Sequence, residues 1–194
     1  MKMVVLASTS PYRMQLLRQL GFPFHVAAPQ FEEHIDQAIA PELLVKHLAG
    51  HKARSLAESY PDALIIGADQ VFVNSQGHIL GKPGNFETAV RQLRSMAGKT
   101  HTFFTGLSVY DSISGESLTD FVTYRVTLRP LSEEQIRNYL RRENPVDCAG
   151  SFKIEGLGIA LMSRLEGEDY TSLIGLPLIK LTDFLAYFGV HVLQ

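Results

Sequence analysis

Three features of the amino-acid sequence predict an α/β protein with a mixed central sheet flanked by helices. Apolar, β-branched runs are interspersed with stretches of helical periodicity along the chain. The first run passes through Ser8-Thr9-Ser10 straight into a helix opened by Pro11. Several later runs are joined by short polar turns that suit hairpins, so antiparallel as well as parallel neighbours are expected.

The elements follow in order. Lys2 to Ala7 reads as a buried first strand, and Ser10 as the cap of a helix running from Pro11 to Gly21. Phe24 to Ala28 reads as a second strand, ahead of an acidic loop at Glu32-Glu33 and a longer helix from Pro41 to Ser59. Ala63 to Val73 is strongly apolar apart from Asp69-Gln70 and predicts a long strand, followed by a turn over Asn74 to Gly77. Asn85 caps a helix that ends near Gly98, and Thr100 to Tyr110 with Leu118 to Leu128 form an antiparallel pair. Ser132-Glu133-Glu134-Gln135 is a capping box for a helix reaching Arg142. Ser151 to Glu155 and Leu157 to Leu165 read as strands, and Leu176 to Phe188 as the closing helix. With no internal repeat and no low-complexity linker, residues 1–194 are expected to form a single α/β domain, bilobed around a central cleft.

Composition narrows the partners. A chain 45% hydrophobic and 20% charged has the make-up of an ordinary globular protein. Its net charge of −2 gives no basic surface for nucleic acid, so an anionic ligand must be held by a few placed cations. No apolar run approaches the ~20 residues of a membrane span, and the apolar start is too short for a signal-peptide core. The single cysteine, Cys148, excludes an internal disulfide framework and suits a reducing compartment. The expectation is a cytoplasmic protein that engages neither membrane nor nucleic acid.

Several positions point to chemistry, each with a plainer alternative. The Ser8–Ser10 turn opens a helix whose unpaired N–H groups and dipole suit an anion, with Arg13 able to fold back over it. Equally, Ser10 caps the helix and Arg13 is a solvated surface residue. Lys52 falls within the apolar stripe Val45, Leu48, Ala49, Ala53 and Leu56 of its helix. It either snorkels to the surface or points into a cleft toward a phosphate. Asp69 interrupts a buried strand, where an uncompensated carboxylate is costly. Such a group is paired, metal-bound or poised as a base. Glu32-Glu33 is a solvated acidic pair unless it lies beside Asp69, where hard oxygens suit Mg²⁺ carrying phosphates. Gly81-Lys82-Pro83 offers either a phosphate contact or an exposed turn lysine. Ser151 to Glu155 alternates, with Phe152 and Ile154 on one face and Lys153 and Glu155 on the other as an ion pair facing solvent. Cys148 has no partner at a nucleophile spacing, and the 7 histidines form no zinc pattern.

Together, Leu6-Ala7-Ser8-Thr9-Ser10-Pro11-Tyr12-Arg13, Glu33, Lys52, Gly67-Ala68-Asp69-Gln70, Gly81-Lys82-Pro83, Ala149-Gly150-Ser151-Phe152-Lys153-Ile154-Glu155-Gly156 and Gly175-Leu176-Pro177 resemble the Maf family of nucleotide pyrophosphatases over nearly the whole chain. The resemblance implies a fold like that of inosine-triphosphate pyrophosphatases, a divalent cation (Mg²⁺ or Mn²⁺), a nucleotide substrate and a homodimer. It implies Asp69 as catalytic base, and Ser10, Arg13, Lys52 and Lys82 as phosphate ligands with Ser8 beside them. Glu33 and Asp69 are the implied metal carboxylates. Tyr12, Gln70 and Glu155 match the branch that hydrolyses 7-methyl-GTP. The branch acting on dTTP and UTP would carry arginine, threonine and glutamine there. Methylated guanine bears positive charge that Tyr12 can stack upon, and Glu155 can accept from its N1–H and amino edge. The acidic pair Glu32-Glu33 and the loop Asp169-Tyr170-Thr171 depart from the family's commoner sequences. Two other readings stand beside this one: a dTTP/UTP pyrophosphatase, and a nucleotide-binding regulatory protein linked to cell division.

Overall fold

The computed structural model describes residues 2–32 and 38–194. Its sheet has six strands: β1 (Met3–Ala7), β2 (His25–Ala27), β3 (Ala63–Val73), β4 (Thr100–Asp111), β5 (Ser117–Leu128) and β6 (Met162–Glu166), in the order β2-β1-β3-β4-β5-β6. β1 runs parallel to both β2 and β3, whereas β5 and β6 are antiparallel, which makes the sheet mixed as expected. The helices are α1 (Pro11–Arg18), α2 (Pro41–Arg54), α3 (Phe86–Met96), α4 (Glu133–Glu143), α5 (Tyr170–Ile174) and α6 (Leu178–Tyr187).

The chain divides into two compact units. The first comprises Met1–Gln70, Phe104–Val122 and Asp169–Gln194, the second Val71–Phe103 and Thr123–Glu168.

In the first unit, strand alternation sorts side chains onto two faces. Val4, Leu6, Leu64, Ile66, Leu107 and Val109 meet the apolar sides of α1 and α6, including Leu16, Leu17, Leu181 and Leu185. Val5, Ala7, Ala63 and Ile65 face the other way, against Ala53 and Leu56. α2 sits unusually close to the sheet, and two glycines permit it. A Cβ on Gly67 would lie 2.1 Å from the Ala49 carbonyl oxygen, and one on Gly106 2.1 Å from that of Val45.

The caps form where the sequence places them. Ser10, Asn85 and Ser132 accept from the N–H groups of Arg13, Thr88 and Gln135, and Gln135 completes its capping box. Two expectations need correction in the second unit. Ser151 to Glu155 is no strand, and β6 begins at Met162 rather than Leu157. Ser151 takes a left-handed φ of 63°, and Lys153 spends its N–H on the Tyr139 hydroxyl at 3.0 Å. The chain then doubles back, with Gly158 N–H reaching the Lys153 carbonyl at 3.0 Å. These groups are therefore unavailable to a sheet ladder. α5 was not expected from the sequence, because five residues carry too little periodicity to signal a helix.

Candidate active site

The β1–α1 turn builds the first piece. Ser8 Oγ accepts the Ser10 N–H at 3.1 Å, and Ser10 Oγ accepts the Arg13 N–H at 3.4 Å. Both hydroxyls act as acceptors toward the backbone, which leaves their protons to donate outward. Ser8 is buried, Ser10 half-buried, and Tyr12 stands 41% exposed in the first turn of α1. Arg13 is folded back: its Nε donates to the Gly175 carbonyl at 2.8 Å.

Lys52 and Asp69 form the second piece. α2 presents Lys52 from its sheet-facing side, and β3 presents Asp69 two residues beyond Gly67, on the same face. The ammonium bonds Asp69 Oδ1, with side-chain exposures of 6% and 8%. Lys52 therefore does not snorkel, and β3 continues through Asp69 without a break. The pairing compensates a carboxylate that would otherwise be buried at a cost of several kcal/mol.

Gln70 turns to the opposite face. Its amide nitrogen donates to Thr105 Oγ1 at 2.9 Å and to the carbonyls of Ser172 and Leu173 at 2.8 and 3.2 Å. Thr105 Oγ1 also donates to the Ser172 carbonyl at 2.8 Å. These acceptors fix which end of the Gln70 amide faces the protein and leave its carbonyl oxygen without a hydrogen-bond donor among the described residues.

In the second unit, Lys82 is exposed between Gly81, whose carbonyl accepts from Gln92 Nε2 at 3.2 Å, and the buried Pro83. Glu155 is exposed on the doubled-back segment, whose ends are tied to α4: Tyr139 receives the Lys153 N–H, and Glu143 receives that of Leu157 at 2.7 Å. Burial, with the nearby Glu143 carboxylate acting the same way, leaves the Tyr139 phenol well above its usual pKa against the opposing pull of the Lys153 N–H. Lys153 lies 3.8 Å from Asp147 and is not paired with Glu155, because the segment is not extended. Phe152 packs edge-on against Phe72 and Phe103. Burial, with Asp147 alongside, pushes the Cys148 thiol up to about 11, which disfavours the thiolate near neutral pH.

Glu33, the expected metal carboxylate, lies outside the described residues. Among the described residues no group of three histidine, cysteine, aspartate or glutamate side chains forms a metal cluster.

The family model described as Maf-like protein matches residues 3–188. The chain belongs to the Maf family. Among its relatives are proteins named 7-methyl-GTP pyrophosphatase. That of Syntrophotalea carbinolica is 75% identical over 100% of this chain and 98% of its own length. Those of Colwellia psychrerythraea and Pseudomonas aeruginosa are 50% and 48% identical, over 100% and 97% of this chain and 96% and 98% of theirs. The solved structure of the Staphylococcus aureus Ham1 protein overlays with a TM-score of 0.45 at 13% identity, over 81% of this chain and 90% of that one, too loosely to argue from.

The first unit of this Maf protein thus gathers Lys52 with Asp69 on one face of β3, and ties Arg13 and Gln70 to α5 and Gly175. Sequence reasoning missed Thr105 and gave no role to Asp169 and Thr171 of the departing loop, and all three are buried and polar. Asp169 carries the one available signal, since aspartate followed two residues later by threonine favours a local cap.

Proposed function

We propose that this Maf protein hydrolyses 7-methyl-GTP to 7-methyl-GMP and pyrophosphate in the cytoplasm, removing a modified nucleotide from the pool. The observation that carries this reading is the 75% identity, across essentially both whole chains, with the Syntrophotalea carbinolica protein of that name. Among the described residues no helix is long and apolar enough to cross a membrane.

In the proposed reaction, a water oxygen attacks the α-phosphorus in line with the bond to the bridging oxygen. That bond breaks, and pyrophosphate leaves with the electron pair. Asp69 accepts the proton of the attacking water. The Lys52 ammonium is already held at Asp69, so it keeps the carboxylate in place and adds positive charge beside a developing phosphorane. Ser8 and Ser10 donate to phosphate oxygens from the start of α1, and Arg13 adds its guanidinium. Lys82 is assigned to phosphate and Glu155, Tyr12 and Gln70 to the base, on the strength of the family resemblance.

Asp69 is a hard oxygen donor of the kind that Mg²⁺ or Mn²⁺ takes, so the described residues fit a metal carboxylate at this position. Asp69 and Glu33 would hold the ion, which when bound neutralises charge on the phosphate oxygens.

The test is pyrophosphate release from 7-methyl-GTP, GTP, dTTP, UTP and ITP with Mg²⁺, repeated with Asp69→Asn and after chelation. Release from 7-methyl-GTP that the variant and the chelator both abolish is the expected result. Preferential release from dTTP and UTP would reassign the substrate. Tight binding without release would make this a nucleotide-binding protein.

A further inference from the structure

One buried carboxylate is used by none of these steps. Asp169 caps α5: its Oδ1 accepts both the N–H of Thr171, at 2.8 Å, and the Thr171 hydroxyl. Its Oδ2 accepts the N–H of Ile179 in the first turn of α6, at 2.9 Å. The Thr171 hydroxyl in turn accepts the Leu178 N–H at 2.9 Å. Two helix starts therefore share one aspartate–threonine pair, and this matters because α5 is far too short to hold its shape alone.

The carbonyls displayed by this segment are the ones that hold two candidate ligand-binding side chains. Ser172 and Leu173 take the Gln70 amide, and Gly175 takes Arg13 Nε. Each acceptor belongs to backbone whose position Asp169 and Thr171 determine. Thr105 closes the arrangement from β4, touching both Gln70 and the Ser172 carbonyl.

We propose that Asp169 and Thr171 are positioning residues: they fix the carbonyls of residues 172–175 so that Gln70 faces the guanine base and Arg13 the phosphates. The inference rests on the 7-methyl-GTP reading above. It separates two effects, because Gln70 bears on which base is taken and Arg13 on how tightly any nucleotide is held.

The experiment compares parent, Thr171→Val, Thr171→Ser and Thr105→Val in steady-state pyrophosphate release from 7-methyl-GTP and GTP, with thermal unfolding of each. In Thr171→Val, KM is expected to rise about tenfold and the preference for 7-methyl-GTP over GTP to fall by about as much, the scale of one lost oriented hydrogen bond. Thr171→Ser, which keeps the hydroxyl, restores both. Thr105→Val lowers the preference and leaves KM near the parent value, since it touches Gln70 and not Arg13. A merely structural role would lower the unfolding temperature without moving KM or preference in the folded fraction. Parent-like KM and preference in folded Thr171→Val would overturn the proposal. If that variant does not fold, parent-like preference in Thr105→Val overturns it. A parent that releases no pyrophosphate from any nucleotide fails the functional reading first, and this inference falls with it.

Discussion

Lys52 and Asp69 meet in an ion pair almost wholly withdrawn from solvent, between a helix and the central strand it covers. Buried pairs are rarely the most stable way to fill such a space, and removing one partner takes a compensating charge away from the other. Lys52→Met should therefore destabilise the protein by about 3 kcal/mol or more, measured by urea unfolding. Combining it with Asp69→Leu should recover most of that loss and leave no detectable turnover. If the double variant proves as unstable as the single one, the pair contributes to folding and not only to chemistry.

The approach of α2 depends on missing side chains. Gly67→Ala would drive a methyl group to 2.1 Å from the Ala49 carbonyl, so it should destabilise by about 3 kcal/mol. It should also depress activity beyond that loss, since Lys52 moves with the helix. Gly50→Ala is the control. It lies within α2 with nothing within 4 Å of its added carbon and should stabilise by about 0.5–1 kcal/mol. Equal effects from the two substitutions would refute the packing account.

His101 ties the second unit to pH. Its Nδ1 accepts the Ser75 N–H at 3.1 Å, so Nε2 carries the proton to the Met96 carbonyl at 2.9 Å. Burial lowers its pKa from the ordinary 6.5, and nearby Lys99 acts the same way against the pull of the Met96 carbonyl. The unfolded chain then binds more protons than the folded one below pH 6.5. The stabilisation is present above that pH and is lost as pH falls beneath it. Unfolding free energies measured between pH 5 and pH 8 (roughly the histidine range) should slope less in His101→Gln than in the parent.

Glu155 reads the base, in the proposed function, from a segment that α4 holds by two side chains one turn apart. Glu155→Gln should reduce the preference for 7-methyl-GTP over dTTP by about tenfold or more, through loss of a charged acceptor. Tyr139→Phe, which removes only the acceptor for the Lys153 N–H, should reduce it by less. Competition assays with both nucleotides in one tube measure the ratios directly, and an unchanged ratio in Glu155→Gln removes it from base recognition.

Much of this was legible before any coordinates. β3 matches its expected limits because its apolar run is long and bounded by turn residues. The caps at Ser10, Asn85 and Ser132 follow from local chemistry alone. Asp69 announced itself as a charge in a buried strand, and Lys52 as a charge in an apolar stripe. That these two answer each other was not legible, because the helix–strand approach is set by glycines whose neighbours are distant in sequence. The segment from Ser151 to Glu155 misled for a related reason. Its alternation mimics a strand, while the bonds that fold it back come from Tyr139 and Glu143 on another helix. The role of Asp169 and Thr171 was not legible, because polar residues near a glycine and a proline look like an ordinary loop.

The first unit is assembled from three separate stretches, and its third, Asp169–Gln194, supplies Leu176, Leu178, Leu181 and Leu185 to the same cluster as Val4 and Leu6. During translation, the first strand is made early and waits, covered on that side by α1 alone, until residues some 170 positions later have left the ribosome. Arg13 and Gln70 wait for the same stretch before their partner carbonyls exist. This unit is thus begun early and completed only once its third stretch is made, and a ribosome stalled before Asp169 would release a chain whose apolar sheet face lacks the cover of α6.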